Sequence, residues 1–186
     1  MDDFSKNFDR PTELADSFLS LPFRAGGILC AVALFLIYGL LGHWSYHFVF
    51  SPVPTSVFWL PSGLTVFLMV FFRQSMRLWP FFIAGLFFGE LFLVTQNNIP
   101  LFPAIFWSIA NIALALTTGL LSRKMLGDTF RFTRVRDVFR FFIMVAIAVI
   151  PGALISALGT KFGLGVKYWW SVLEWSLSDA LGIILC

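Results

Sequence analysis

The sequence predicts an all-α integral membrane protein, a bundle of about six transmembrane helices, several of them kinked at proline. Three observations carry this. Apolar residues fill 59% of the 186 positions and charged residues only 12%, whereas an average soluble domain is about 45–50% apolar and about 25% charged. The apolar residues fall into six runs near the roughly 20 residues that cross a hydrocarbon layer. The cations gather on alternate breaks between those runs, as they do in cytoplasmic loops.

The remaining composition closes off other classes. Twenty-four Phe, seven Trp and three Tyr are too many for a disordered chain, and two cysteines cannot form a disulfide scaffold. The net charge of +3 is ordinary for a membrane protein with basic loops, so nucleic acid is not an expected partner. The mean hydropathy of +0.86 points to the lipid bilayer instead.

The elements follow in order. Residues 1–24 form a polar, acidic cytoplasmic tail in which Leu14, Phe18 and Leu21 share one helical face. A short interfacial helix or a frayed tail both fit. An acidic start and the absence of an A-x-A site exclude a cleavable signal peptide. Residues 25–186 form the membrane domain. Its first span runs from Ala25 to Phe50 and is broken by Ser51-Pro52-Val53-Pro54. The second covers Thr55 to Phe72 and contains Pro61. Arg73 to Arg77 turn the chain, and Trp79-Pro80 opens the third span, which reaches Thr95. Gln96 to Pro100 make the next turn, and the fourth span covers Leu101 to Ser122. A basic loop, Arg123 to Arg140, precedes the fifth span, Phe141 to Lys161, with Pro151 at its middle. Gly163 to Lys167 lead to the sixth, Tyr168 to Cys186. That last run is still apolar at Cys186, so the expectation is a domain truncated at its C-terminus.

Eleven of the 13 cations lie on the tail, the second-to-third turn and the fourth-to-fifth loop, and only Lys161 and Lys167 lie opposite. The positive-inside rule then puts both termini of this multi-pass chain in the cytoplasm.

Ionisable side chains inside a bilayer cost several kcal/mol, so their positions suggest a site. Glu90 lies toward the outer end of the third span, Asn111 at mid-depth in the fourth, and Asp179 near the middle of the sixth. Pro61-Ser62-Gly63 open the second span on the outer side. Ser171, Glu174 and Ser178 form a polar stripe on the sixth span, beside a face with Trp175, Asp179 and Gly182. The inner half is nearly all apolar, which predicts a polar cavity open to the outside and closed below. The expected ligand-binding residues are Glu90, Asn111, Asp179, Trp175, Ser178, Trp59, Pro61 and Ser62. The competing reading is helix–helix hydrogen bonding, favoured for Asn111. Trp59, Trp79, Trp169 and Trp170 are expected in the interfacial aromatic belt. His43 and His47 have the spacing of a metal pair but lack a third ligand, so no metal site is expected. No phosphate-binding glycine loop, HExxH pair, nucleophile elbow or CxxC occurs. No catalytic residue and no cofactor is expected, and the chain is not expected to be an enzyme.

Six segments, in order over about residues 30–186, give a family resemblance. Trp59-Leu-Pro-Ser-Gly63 resembles a W-P-P-S-G motif, and Arg77-Leu-Trp-Pro80 resembles R-x-W-P. Gly89 with its polar neighbour resembles G-N. Ala110-Asn111 with Gly119-Leu-Leu-Ser-Arg-Lys124 resembles A-N-x-x-E-A-x-x-G-x-x-L-x-R-R. Arg136 to Phe141 resembles R-D-V-L-R-F, and Trp175 to Gly182 resembles W-x-x-x-D-x-L-G. Together these resemble the bacterial membrane-associated sensor domain, the first type of the MASE family. The pattern is broken at Leu60, where a first Pro is usual, at Leu114, where Glu is usual, and at Glu90, where Asn is frequent. The carboxylate has thus moved from the fourth span to the third, and the charge stays in one cavity if those helices are adjacent.

The resemblance implies a signal-input module at the bacterial inner membrane, usually of about eight spans, so that this chain would lack the last pair. In relatives it precedes diguanylate cyclase, cyclic di-GMP phosphodiesterase or sensor histidine kinase domains. The expected partners are the lipid bilayer, an unidentified small ligand, a cytoplasmic output domain or partner protein absent from this chain, and a second copy of the chain in a homodimer. A small transporter or substrate-capture subunit, and a membrane docking scaffold, are the alternatives, because midplane carboxylates and broken helices serve transport equally well.

Overall fold

A computed structural model describes residues 23–49, 55–126 and 134–186. It contains six α-helices and no strand among the described residues: α1 Phe23–Tyr46, α2 Leu60–Phe71, α3 Trp79–Gln96, α4 Leu101–Met125, α5 Val135–Leu164 and α6 Tyr168–Leu185. The tail face with Leu14, Phe18 and Leu21, the Ser51-Pro52-Val53-Pro54 break and Arg131 lie outside the described residues. Four helices (α1, α3, α4 and α5) are long and apolar enough to cross a membrane.

Successive helices are neighbours except α2 and α3. Asn97 to Pro100 join α3 to α4, with Asn98 in the left-handed region at φ 59°. Gly165, at φ 74°, ends α5 by donating its N–H to the Lys161 carbonyl at 3.0 Å, a conformation that glycine adopts at little steric cost. In space α1 packs on α3, α4 on α3 and α5, and α6 on α5, while α2 is wedged among α1, α4 and α6. The wide apolar faces of α1 and α5, with Val32, Leu36 and Leu40 or Ile143, Ile147 and Ile150, point outward, as lipid-facing helices require.

Two spans differ from the sequence expectation. The second was expected over Thr55 to Phe72, but α2 has only 12 residues, a length of about 18 Å against a hydrocarbon layer of about 30 Å. Pro61 occupies its first turn, where a residue without an N–H is tolerated. The preceding chain is bonded elsewhere. Ser56 donates its hydroxyl to the Ser45 carbonyl at 2.7 Å, and Val57 donates its N–H to the Phe48 carbonyl at 3.1 Å. The helix therefore starts inside the bundle. The fifth span is longer than expected: α5 has 30 residues, about 45 Å, and runs back through part of the basic loop. There Asp137 is buried between Arg136 at 3.7 Å and Arg140 at 3.9 Å.

The core divides by depth. At the arginine end, where Arg73, Arg77 and Arg123 lie, Val66, Val70, Leu114, Met144, Val145 and Ile183 form an apolar cluster. A second cluster, Tyr38, Trp59, Met69, Trp79 and Leu86, reaches from Trp79 at the arginine end to Trp59 at the start of α2. Trp107 and Trp175 anchor a third cluster with Val94, Ala104 and Ala153. Trp79 is therefore core and not belt: it is buried and donates its indole N–H to the Phe72 carbonyl at 3.2 Å. Trp169 and Trp170 do face outward.

Candidate functional site

The polar residues gather where α2 begins. The Trp59 backbone N–H donates to the Ser178 carbonyl of α6 at 3.0 Å, and the Ser62 N–H returns to the Trp59 carbonyl at 3.0 Å. This close approach depends on Gly182, because a Cβ there would overlap the Trp59 carbonyl. Seated in this way, the Ser62 hydroxyl donates to Asp179 Oδ1 at 2.6 Å. The positive end of the α2 dipole favours a negative charge at that place, although its first N–H groups are taken, that of Leu60 by the Ser45 hydroxyl at 3.1 Å and that of Ser62 by the Trp59 carbonyl. Pro61 shapes the turn and offers its carbonyl to Thr65 at 2.9 Å.

A second carboxyl comes from α3. Gly89 leaves room for the Tyr38 ring of α1, which would lie 3.0 Å from a Cβ at that position. The Tyr38 hydroxyl then donates to Glu90 Oε2 at 2.8 Å and accepts the Trp59 indole N–H at 3.3 Å. Trp59 thus joins the two halves, its backbone on Ser178 and its ring on Tyr38. Tyr46 closes over the same indole edge-on, with ring centroids 5.6 Å apart. Glu90 and Asp179 lie within electrostatic reach of each other. Glu90 is 1% exposed and Asp179 5% exposed, and neither forms an ion pair among the described residues. Glu90 Oε1 is buried without a hydrogen-bond partner.

The expected residues therefore separate. Glu90, Asp179, Ser62, Pro61 and Trp59 come together, and Ser178 joins them through its carbonyl while its own hydroxyl is buried and unpartnered. Trp59 leaves the expected interfacial belt for this core. Asn111 stands apart: its amide donates to the Trp107 carbonyl of its own helix at 3.1 Å. Trp175 belongs to another group, because its indole N–H donates to Thr160 Oγ1 at 3.3 Å. Trp107 donates to the same oxygen at 3.1 Å. Thr160 in turn donates to the Ser156 carbonyl at 2.9 Å. The expected open cavity is a packed polar core in this state, since Tyr38, Ser62, Glu90 and Asp179 are all buried. Leu114 lies in the apolar cluster, so although α3 and α4 are neighbours, Glu90 turns toward α1.

Tyr38 is the residue that sequence reasoning missed. A lone phenol in the middle of an apolar run was its signal, since a buried tyrosine hydroxyl usually finds a partner. His43 and His47 stack edge-on at 5.1 Å, and no group of three or more metal-ligating side chains occurs among the described residues.

No curated protein and no solved structure matches the chain. The family model for MASE1 matches residues 28–186, which span all six helices apart from the first residues of α1. With its apolar spans and its order of motifs, this multi-pass membrane chain belongs to MASE1, a family of membrane-associated sensor domains that are not themselves catalytic.

Proposed function

We propose that the chain is the signal-input module of an inner-membrane receptor, with its arginine end in the cytoplasm. Its Glu90–Asp179 core takes a small polar or cationic ligand, or protons, from outside. The occupied core shifts the helices and so acts on a cytoplasmic output domain or partner protein. The observation that carries this reading is the pair of buried carboxyls, drawn from α3 and α6, with no basic partner among the described residues. A charged carboxyl in hydrocarbon is costly, and whatever brings positive charge or donors there stabilises one packing over another. A ligand shifts such an equilibrium only by its different affinity for the two states. Four helices meet at the core, so repacking it moves their ends.

The test places spin labels at Met76 and Val135, exposed near the arginine end, in the chain reconstituted into lipid nanodiscs. Mildly acidic and alkaline buffers, and a panel of small cations and polar solutes, are compared. A change of about 1–2 Å in the label distance is expected, as for helix shifts in other switches. The change is expected to vanish in a combined Glu90→Gln and Asp179→Asn variant. An identical response in that variant would overturn the reading.

One observation favours a second reading. α2 is a half-length helix whose start faces a buried carboxylate, the arrangement of broken helices in transporters. Uptake of a labelled solute by proteoliposomes, lost in Asp179→Asn, would support transport.

A further inference from the structure

The stripe on α6 is not used by the contacts described so far. Ser171, Glu174 and Ser178 lie at i, i+3 and i+7, on one helical face. Ser171 is 0% and Ser178 2% exposed, yet Ser171 Oγ, Glu174 Oε2 and Ser178 Oγ are all buried without a hydrogen-bond partner. A serine in a membrane helix can return its hydroxyl to a carbonyl of the preceding turn, as Ser176 does to Val172 at 2.7 Å. The stripe residues do not. Leaving a buried hydroxyl unsatisfied is costly, and here it recurs on successive turns of one helix.

The stripe has two ends. It starts one turn into α6, beside Lys167 at the end opposite the arginines, where water is close. It finishes where the Ser178 carbonyl receives the Trp59 N–H and Ser62 reaches Asp179. Ser62 of α2 bonds Asp179, and Glu90 of α3 is linked to the same place through Tyr38 of α1 and the Trp59 indole. Lys161, in the last turn of α5, is exposed. The flank of α6 that carries Leu173 and Leu177 is exposed to lipid.

We propose that the Ser171–Glu174–Ser178 stripe is the hydrated entry route by which protons from the outer side reach the Ser62–Asp179 pair. Its oxygens lack partners in the packed state because water supplies them when the α6 face loosens. A chain of waters and hydroxyls passes a proton from donor to acceptor without carrying an ion through the bundle. Glu174 lies on the route as an intermediate acceptor. This inference rests on the sensor reading for its purpose, but hydration of the stripe is measured without any signalling readout.

The test uses the full chain in proteoliposomes, with Cys30 and Cys186 changed to Ser. Single cysteines are placed by Ser171→Cys, Ser178→Cys, Leu173→Cys and Leu177→Cys, and a charged, membrane-impermeant thiol reagent is added outside. The reactive species is the thiolate, which forms only where water reaches, so Ser178→Cys is expected to react at least about tenfold faster than Leu177→Cys. Equal rates would overturn the route. A second measurement leaves the route unmutated: X-ray hydroxyl-radical labelling, which marks side chains beside internal water. Trp59 and Trp107 are both buried, but only Trp59 lies at the end of the route, and it is expected to oxidise faster. Equal labelling would contradict the proposal. If the stripe is wet while the spin-label distances stay fixed, the sensor reading fails and the route stands.

Discussion

Two buried polar groups sit in the same bundle and are built on the same kind of donor, an indole N–H, yet they differ in completeness. At Thr160 every polar atom is used: two indoles donate to one hydroxyl oxygen, and that hydroxyl donates to the Ser156 carbonyl. The rings of Trp107 and Trp175 pack 5.1 Å apart around it. At Trp59 the bonds run through Tyr38 to Glu90 and through Ser62 to Asp179, and they leave Glu90 Oε1 and Ser178 Oγ unpartnered. A completed network holds one arrangement. An incomplete one leaves buried groups at a cost that a further partner would relieve. On the proposed function, the Thr160 group would serve as the bundle's fixed joint and the Glu90–Asp179 group as its responsive part.

The contrast can be broken most severely where the two helices touch. Gly182→Leu inserts a side chain against the Trp59 carbonyl. Backbone on one side leaves no easy relief, so the loss is expected to reach about 3 kcal/mol or more. It would be read as loss of a monodisperse, heat-stable chain in detergent. Next, Thr160→Val keeps the volume but orphans two indole N–H groups. A cost of about 1–3 kcal/mol is expected, seen as a lower unfolding midpoint, with the helix-end response retained. Tyr38→Phe is milder in stability, about 1 kcal/mol, because hydrogen bonds between membrane helices are individually weak. It is nevertheless expected to alter the response, since it removes both the donor to Glu90 and the acceptor for Trp59. The smallest effect belongs to Leu177→Ala on the lipid-facing side of α6, expected to change the midpoint by less than about 0.5 kcal/mol. A Thr160→Val variant that silenced the response, or a Tyr38→Phe variant that left it intact, would reverse the assignment of the two groups.

Much of this arrangement is legible before any coordinates. The starts of α3, α4 and α6 follow from Pro80, from the turn at Asn97 to Pro100 and from Gly163 to Lys167, because these residues punctuate helices for local reasons. The length of α2 is not legible in the same way. Hydropathy runs on through Val57, Phe58 and Trp59, and only the bonds of Ser56 and Trp59 to α1 and α6 show that those residues are not helical. Glu90, Ser62 and Asp179 stand out as costly groups in apolar runs, and that cost is a property of the residue alone. Their pairing is not, since Ser62 and Asp179 are 117 positions apart. Trp175 shows the same limit from the other side. It lies one turn from Asp179 on α6, but its N–H is taken by Thr160 across the helix pair. Tyr38 escaped notice because periodicity counts it as apolar.

The most direct test of the difference between the two groups is infrared difference spectroscopy of the chain in lipid, with the outer buffer stepped from alkaline to acidic. A protonated carboxyl has a C=O stretching band apart from the amide bands. The bands are expected to change with the outer buffer, to lose one component in Glu90→Gln and another in Asp179→Asn, and to persist in Thr160→Val. Carboxyl bands that ignore the outer buffer, or that survive both substitutions, would contradict it.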